Sequence, residues 1–442
     1  MDWFSDIRLT DGPLYGTVLV LGAGGAAYLL VPPWRASMAP AHRARAWVLR
    51  IIIAAAAAFA LVATVHWALI NIFTVFPEDL PDPVLLWLVP GVAAVILGLL
   101  RLPRTSWGGR GRGILAALLV VLLSAIQINA YFGLNRTVSD LLGTALARIP
   151  ALEQDLMRHP GESDGLPLQG WKPEGELPAG GELRKSAIPG PASGMTTRDA
   201  FIYLPPAYFA ANRPALPVLV LVAGQPGGPA DWLTGGAIRG HMDSFAAEHG
   251  GVAPVVVIPD PNGSQSANTM CMDSRIANAD TYLSQDVPRW ISTTLAVDTN
   301  HSHWAIGGFS FGGTCAVQMG TRHPDIYADV LGFSSEAEPA IAKERQKTID
   351  AAFPGNPGEF INQTPLEIMK HQRFESSGMY LTAGQNDPEF VGNLRTLAAA
   401  AENAGFTVQA HEVEHTGHSW DTSSKRFADA LQFLGKQWGL QW

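Results

Sequence analysis

The sequence predicts an all-α transmembrane domain of four helices followed by an α/β domain built on a mostly parallel sheet. Three observations carry this. Up to about Leu134 the chain is dominated by Ala, Leu, Val and Ile, and almost every charge falls in short connectors. From about Thr197 short β-rich runs alternate with longer helical stretches, the rhythm of strands joined by crossover helices. Between them lies a stretch rich in Gly, Pro and Glu with no sustained apolar period. At 442 residues the chain is also too long for one compact core.

Crossing a bilayer takes about 20 apolar residues per helix. Segments 14–31, 47–73, 84–100 and 113–134 meet that requirement. The first is not read as a cleavable signal peptide, because Asp2, Asp6 and Asp11 make its N-terminal flank acidic rather than basic. Orientation follows from the connectors. The first carries Arg35, Arg43 and Arg45, and the third carries Arg101, Arg104, Arg110 and Arg112. The second carries Glu78, Asp79 and Asp82 and no base. Because Lys and Arg mark the cytoplasmic side, both ends of the chain are expected outside the cytoplasm. Arg outnumbers Lys, the usage of a GC-rich bacterial genome, so the membrane is read as a bacterial plasma membrane. Trp34, Trp47, Trp87 and Trp107 sit near span ends as interfacial anchors. His66, Asn71, Gln127 and Asn129 have no charged partners among the spans and read as helix-packing or interfacial groups, not as a transport path.

The expected organisation is a membrane domain over 1–135, an amphipathic helix and linker over 136–196, and a catalytic domain over 197–442. Strands are expected at 200–204, 218–223, 254–259, 303–308, 329–333, 379–383 and 407–413, several of them continuous apolar runs covered on both faces. Helices are expected at 282–295, 311–323, 391–404 and 423–438, and 335–378 is a candidate cap. A net charge of −9 with no basic stretch argues against a nucleic-acid partner.

The chemistry centres on Gly308-Phe309-Ser310-Phe311-Gly312, a G-x-S-x-G pattern with an apolar strand before it and a helix of small residues after it. In that setting the serine sits on a sharp strand-to-helix turn that lifts its hydroxyl above the sheet, the arrangement of an α/β-hydrolase nucleophile. Such a hydroxyl needs a base, and the base needs an orienting carboxylate, in the chain order Ser, acid, His. His418 follows the last strand candidate and is the expected base, with His415 the alternative. Asp387 follows the preceding strand candidate and is the expected acid, with Glu389 its rival and helix capping its ordinary role. The backbone N–H groups of Phe311 and of Gln225, on the Gly-rich loop after 218–223, are the expected oxyanion hole. The only two cysteines are Cys271 and Cys315. An exported domain permits a bridge between them, and two buried thiols are the alternative.

The stretch from about Arg198 to Gln437 resembles the putative esterase family that includes esterase D and the antigen 85 mycolyltransferases. The matching pieces are the Gly224 loop followed by Trp232, Val257-Ile258-Pro259-Asp260, Gly-Gly-Phe-Ser-Phe-Gly-Gly around Ser310, Gly-Gln-Asn-Asp-Pro-Glu around Asp387, and His-Thr-Gly-His-Ser-Trp around His418. The resemblance implies an ester-cleaving or acyl-transferring enzyme that uses no metal or cofactor. Gly224, Asp260 and Trp420 lie in these pieces and are candidate substrate contacts.

The expected function is therefore extracytoplasmic cleavage of an acyl or aminoacyl ester of a lipid or cell-envelope component, through an acyl-enzyme on Ser310. Two alternatives stand beside it: an envelope acyltransferase that passes the acyl group to a sugar or lipid hydroxyl, and a binding or scaffold protein without turnover.

Overall fold

The computed structural model describes residues 7–33, 40–159 and 161–440. Asp2, Asp6, Trp34 and Arg35, named above, lie outside them. The chain divides into two compact units, with the boundary between Thr144 and Ala145.

Among its described residues the first unit holds four long helices, α1 (Gly12–Leu30), α2 (Pro40–Asn71), α3 (Asp82–Arg101) and α4 (Trp107–Phe132). Each is long and apolar enough to cross a membrane. Their ends follow local chemistry. Ser106 caps α4 by accepting from Gly109 N, and Gly133 stops it in the left-handed region at φ 66°. Small residues let the helices approach. A Cβ at Gly22 would lie 2.7 Å from Leu123 Cβ, and one at Gly25 2.7 Å from the Ala116 carbonyl. Arg101 is buried and donates from Nη1 to the carbonyls of Leu29 (3.0 Å) and Val31 (2.7 Å), closing the C-terminal end of α1. Several other polar groups of the unit find local partners. Tyr15 donates to Gln127 at 2.6 Å, Leu80 N donates to His66 Nε2 at 3.1 Å, and Asn129 bonds Asn135.

Leu9 N donates to Arg136 O and Val138 N to Ile7 O, both at 2.9 Å. The start of α1 and the end of α4 therefore meet at one end of the unit. The amphipathic helix expected at the start of 136–196 is absent as one element. Thr137 builds a capping box and starts a helix at Val138, but Gly143, at φ 63°, ends it after Leu142. A single turn, Thr144–Ala147, follows.

The second unit is built on an eight-stranded sheet. Its strands are β1 (Glu182–Ser186), β2 (Ala200–Leu204), β3 (Val218–Val222), β4 (Val255–Ile258), β5 (Trp304–Phe309), β6 (Asp329–Phe333), β7 (Gly378–Gly384) and β8 (Thr407–Val413). The order is β1-β2-β4-β3-β5-β6-β7-β8; β2 is antiparallel to β1 and β4, and β3 to β8 run parallel. Every residue of β3, β5, β6 and β7 is buried, which explains their largely apolar composition.

The expected boundary at 197 is corrected. β1 lies inside the stretch read as linker, and Leu152 and Ile188 enter the core of the same unit. As a half-buried edge strand, Glu-Leu-Arg-Lys-Ser carries no apolar alternation to announce it.

Two helices frame the site: α5 (Phe311–Arg322) directly after β5, and α6 (Pro388–Ala404) after β7. The expected helix at 282–295 begins at Ala279 and contains a wide turn at Tyr282–Asp286. The one expected at 423–438 is split into Trp420–Ser424 and Phe427–Gln437. The candidate cap holds three short helices, Arg345–Ala352, Pro357–Asn362 and Pro365–His371. Ile349, Phe353 and Phe360 from it pack on Met270 and Met272.

Those two methionines flank Cys271, which is bridged to Cys315 of α5, with Cα atoms 5.4 Å apart and a sequence separation of 44. Closing a loop of that length destabilises the unfolded chain by about 4 kcal/mol. Replacing both cysteines with alanine is expected to lower the melting temperature of the second unit by roughly 10 °C, read by thermal denaturation. An unchanged melting temperature would mean that the bridge constrains nothing.

Candidate active site

Ser310 occupies the turn between β5 and α5 with φ 57° and ψ −120°, a backbone conformation costly for a non-glycine residue. The turn is held because Ser310 N donates to Phe333 O at 2.8 Å. Its glycines answer to close approach. A Cβ at Gly308 would lie 2.1 Å from the carbonyl carbon of Gly312, and one at Gly312 2.0 Å from Val222 O. No side chain fits at either position, so the pattern around the serine is a packing requirement.

His418 lies on the loop after β8. Its Nε2 is 2.8 Å from Ser310 Oγ, and its Nδ1 is 3.0 Å from Asp387 Oδ2. Asp387 immediately precedes α6, yet its side chain makes no capping bond to that helix. Its carboxylate is directed to the imidazole instead of filling the ordinary capping role. The two loops are laced together, with Gln385 N donating to Val413 O (3.0 Å) and Asn386 N to Thr416 O (2.8 Å). Gly384 is needed where they cross, since a Cβ there would lie 2.4 Å from Gly417 O.

The His418 and Asp387 side chains are only 14% and 13% exposed. The imidazole lies between Phe390, at 4.2 Å between ring centroids, and Phe309, at 5.2 Å. An ion pair forming in such dry surroundings is screened less than one in water. In this geometry a serine hydroxyl can pass its proton to the imidazole as it attacks a carbonyl, and the carboxylate can stabilise the imidazolium. Glu389 and His415 are exposed, and neither takes part in the chain of bonds from Ser310 through His418 to Asp387.

Gly224 lies against the serine turn. A Cβ there would be 3.7 Å from Ser310 Cβ and 3.5 Å from Phe309 O. The loop from Gly224 to Gly228 thus brings Gln225 beside the turn, and the Gln225 side chain donates to Ser266 O at 3.1 Å. Phe311 is the first residue of α5, where N–H groups lack intrahelical acceptors and the helix dipole favours negative charge. The arrangement can therefore offer two backbone donors to a developing oxyanion. Among the described residues no three His, Cys, Asp or Glu side chains converge as metal ligands.

Two of the candidate substrate contacts are corrected. Asp260 is 1% exposed, and both its carboxylate oxygens accept from Arg198, so it is occupied within the fold. Trp420 is 5% exposed and packs edge-on against Trp232, 5.0 Å between centroids, and beside Phe309 at 4.7 Å. It supports the floor of the site from within. Phe390 was not anticipated. Its only trace in the sequence is an apolar residue three positions after Asp387, where a helix turns back toward the acid.

Residues 195–434, more than half of the chain, match the family described as putative esterase. An uncharacterized protein of Corynebacterium glutamicum is 38% identical over 257 residues, which cover 56% of this chain and 59% of that protein. Among solved structures, a ferulic acid esterase aligns with TM-score 0.51 at 19% identity, over 59% of this chain and 99% of that one. An S-formylglutathione hydrolase from Agrobacterium tumefaciens aligns with TM-score 0.50 at 16% identity, over 60% of this chain and 98% of that one. At these identities the two structures are similar in fold. With the family match over residues 195–434, the chain belongs to the putative esterase family, with an α/β-hydrolase fold preceded by four long apolar helices.

Proposed function

We propose that this protein is a membrane-anchored esterase that cleaves an acyl or aminoacyl ester of a lipid or cell-envelope component outside the cytoplasm. The observation that carries the catalytic part is the hydrogen-bonded series Ser310–His418–Asp387, at 2.8 and 3.0 Å. Ser310 Oγ attacks the ester carbonyl carbon while its proton passes to His418 Nε2. Asp387 holds the imidazole with Nδ1–H toward the carboxylate. The N–H groups of Gln225 and Phe311 bind the oxyanion. Collapse of the tetrahedral intermediate breaks the bond to the leaving alcohol, whose oxygen takes the proton from His418. Water, activated by the same imidazole, then attacks the acyl-enzyme and releases the free acid.

The substrate class rests on architecture. A catalytic unit continuous in sequence with four candidate spans is confined to the membrane surface, where lipid and envelope esters are concentrated. The arginine-bearing first and third connectors and the acidic second one support placement outside the cytoplasm. The Cys271–Cys315 bridge suits an oxidising compartment.

The test is turnover of envelope lipids extracted from the native host by the detergent-purified chain, with product analysis. Free acid released by the wild type and not by Ser310→Ala is the expected result. A new ester on a sugar or lipid hydroxyl would assign the protein as a transferase. Equal turnover by Ser310→Ala would remove the proposal.

A further inference from the structure

Resting on that assignment of the oxyanion donors, we propose that Arg198 is a positioning residue, holding the Gly224–Gly228 loop at the spacing its donor needs. Arg198 lies outside the chain of bonds from Ser310 to Asp387, at the turn leading into β2. Its backbone N–H and Nε both donate to Asp260 Oδ2, at 2.9 and 2.7 Å, and its Nη2 donates to Asp260 Oδ1 at 2.9 Å. The carboxylate follows β4 and is buried, so the guanidinium is fixed from the sheet side.

The same Nη2 donates outward to Gly227 O at 2.9 Å and to Ser264 O at 3.1 Å. One planar fork therefore ties three segments, the turn after β4, the candidate oxyanion loop and the strap that starts near Asn262. Gly228 makes room for it, because a Cβ there would lie 2.6 Å from Nη1. The strap holds the loop by two more bonds, from Gly227 N to Gln265 O (2.9 Å) and from Gln225 Nε2 to Ser266 O (3.1 Å). Further along, the strap is covalently fixed to α5 by Cys271–Cys315, and Gln318 of α5 donates to Met270 O at 2.8 Å.

The two proposed donors thus belong to elements joined by a closed circuit. Phe311 N belongs to α5, and Gln225 N to a loop held between the serine turn on one side and Arg198 with the strap on the other. An oxyanion donor acts within a few tenths of an ångström, and a displacement of about 1 Å can cost on the order of a hundredfold in rate. Loosening this circuit is expected to lower kcat and leave ground-state binding little changed.

The test uses the full chain in detergent, with kcat and KM for a nitrophenyl ester normalised to serine titrated by a fluorophosphonate. Arg198→Lys keeps the charge beside buried Asp260 but cannot reproduce the fork. The double variant Arg198→Met with Asp260→Asn removes the buried charge pair altogether. Both are expected to lose roughly 10- to 100-fold in kcat, with KM within about threefold, and to bind a boronic acid that mimics the tetrahedral intermediate more weakly by the same factor. A melting temperature that falls while kcat per titrated site stays within about twofold in both variants would overturn the inference and leave a purely structural ion pair. A wild type in which no serine titrates would instead sink the assignment on which the inference rests.

Discussion

Alanine at Ser310 or at His418 lowers ester turnover about a million-fold, and the double substitution is no worse than either alone. The two side chains act as one device. Without Ser310 there is no atom to carry the acyl group, and without His418 the hydroxyl keeps its proton and remains a poor nucleophile. Residual activity comes from binding and from the oxyanion donors, which neither change touches. The measurement is kcat/KM against a nitrophenyl ester, with melting temperature as a control for folding. Additive losses in the double variant would mean that Ser310 and His418 serve separate steps, against their 2.8 Å contact.

Asparagine at Asp387 lowers kcat on the order of ten-thousand-fold, while glutamine at Glu389 changes it by less than about twofold. Asp387 Oδ2 accepts from His418 Nδ1 at 3.0 Å, which leaves Nε2 free to take the serine proton. An amide nitrogen in that place favours the opposite tautomer and points a proton at Ser310. Glu389 is exposed in the first turn of α6 and is not bonded to the imidazole. A large loss at Glu389 with tolerance at Asp387 would reverse the assignment.

The residues brought together around Ser310 were legible in the sequence because each sits where a parallel sheet ends, and the ends of parallel strands are fixed by local patterns. The apolar run before Ser310, the small residues after it, and turns following two further strand candidates place three side chains at one edge without any long-range information. What was not legible depends on distant partners. Asp260 looked like a substrate contact because a carboxylate after a strand is often at a site, but its burial is decided by Arg198, 62 positions earlier. Trp420 followed the base closely in sequence, and only the packing of Trp232 and Phe309 shows that it faces inward. β1 escaped notice because a half-buried edge strand needs no apolar face. The pairing of Cys271 with Cys315 required the approach of two Cα atoms to 5.4 Å, which no sequence pattern encodes. In the first unit, length and hydropathy marked all four helices. The exception there was the segment after α4, where Gly143 ends a helix that the apolar period alone would have continued.

Whether Ser310 is an activated nucleophile is tested by labelling of the detergent-purified chain with a fluorophosphonate, followed by mass spectrometry of the modified peptide. A single adduct on Ser310 that disappears in His418→Ala is the expected result. A well-folded wild type that takes no label, or takes it at another serine, would contradict that role.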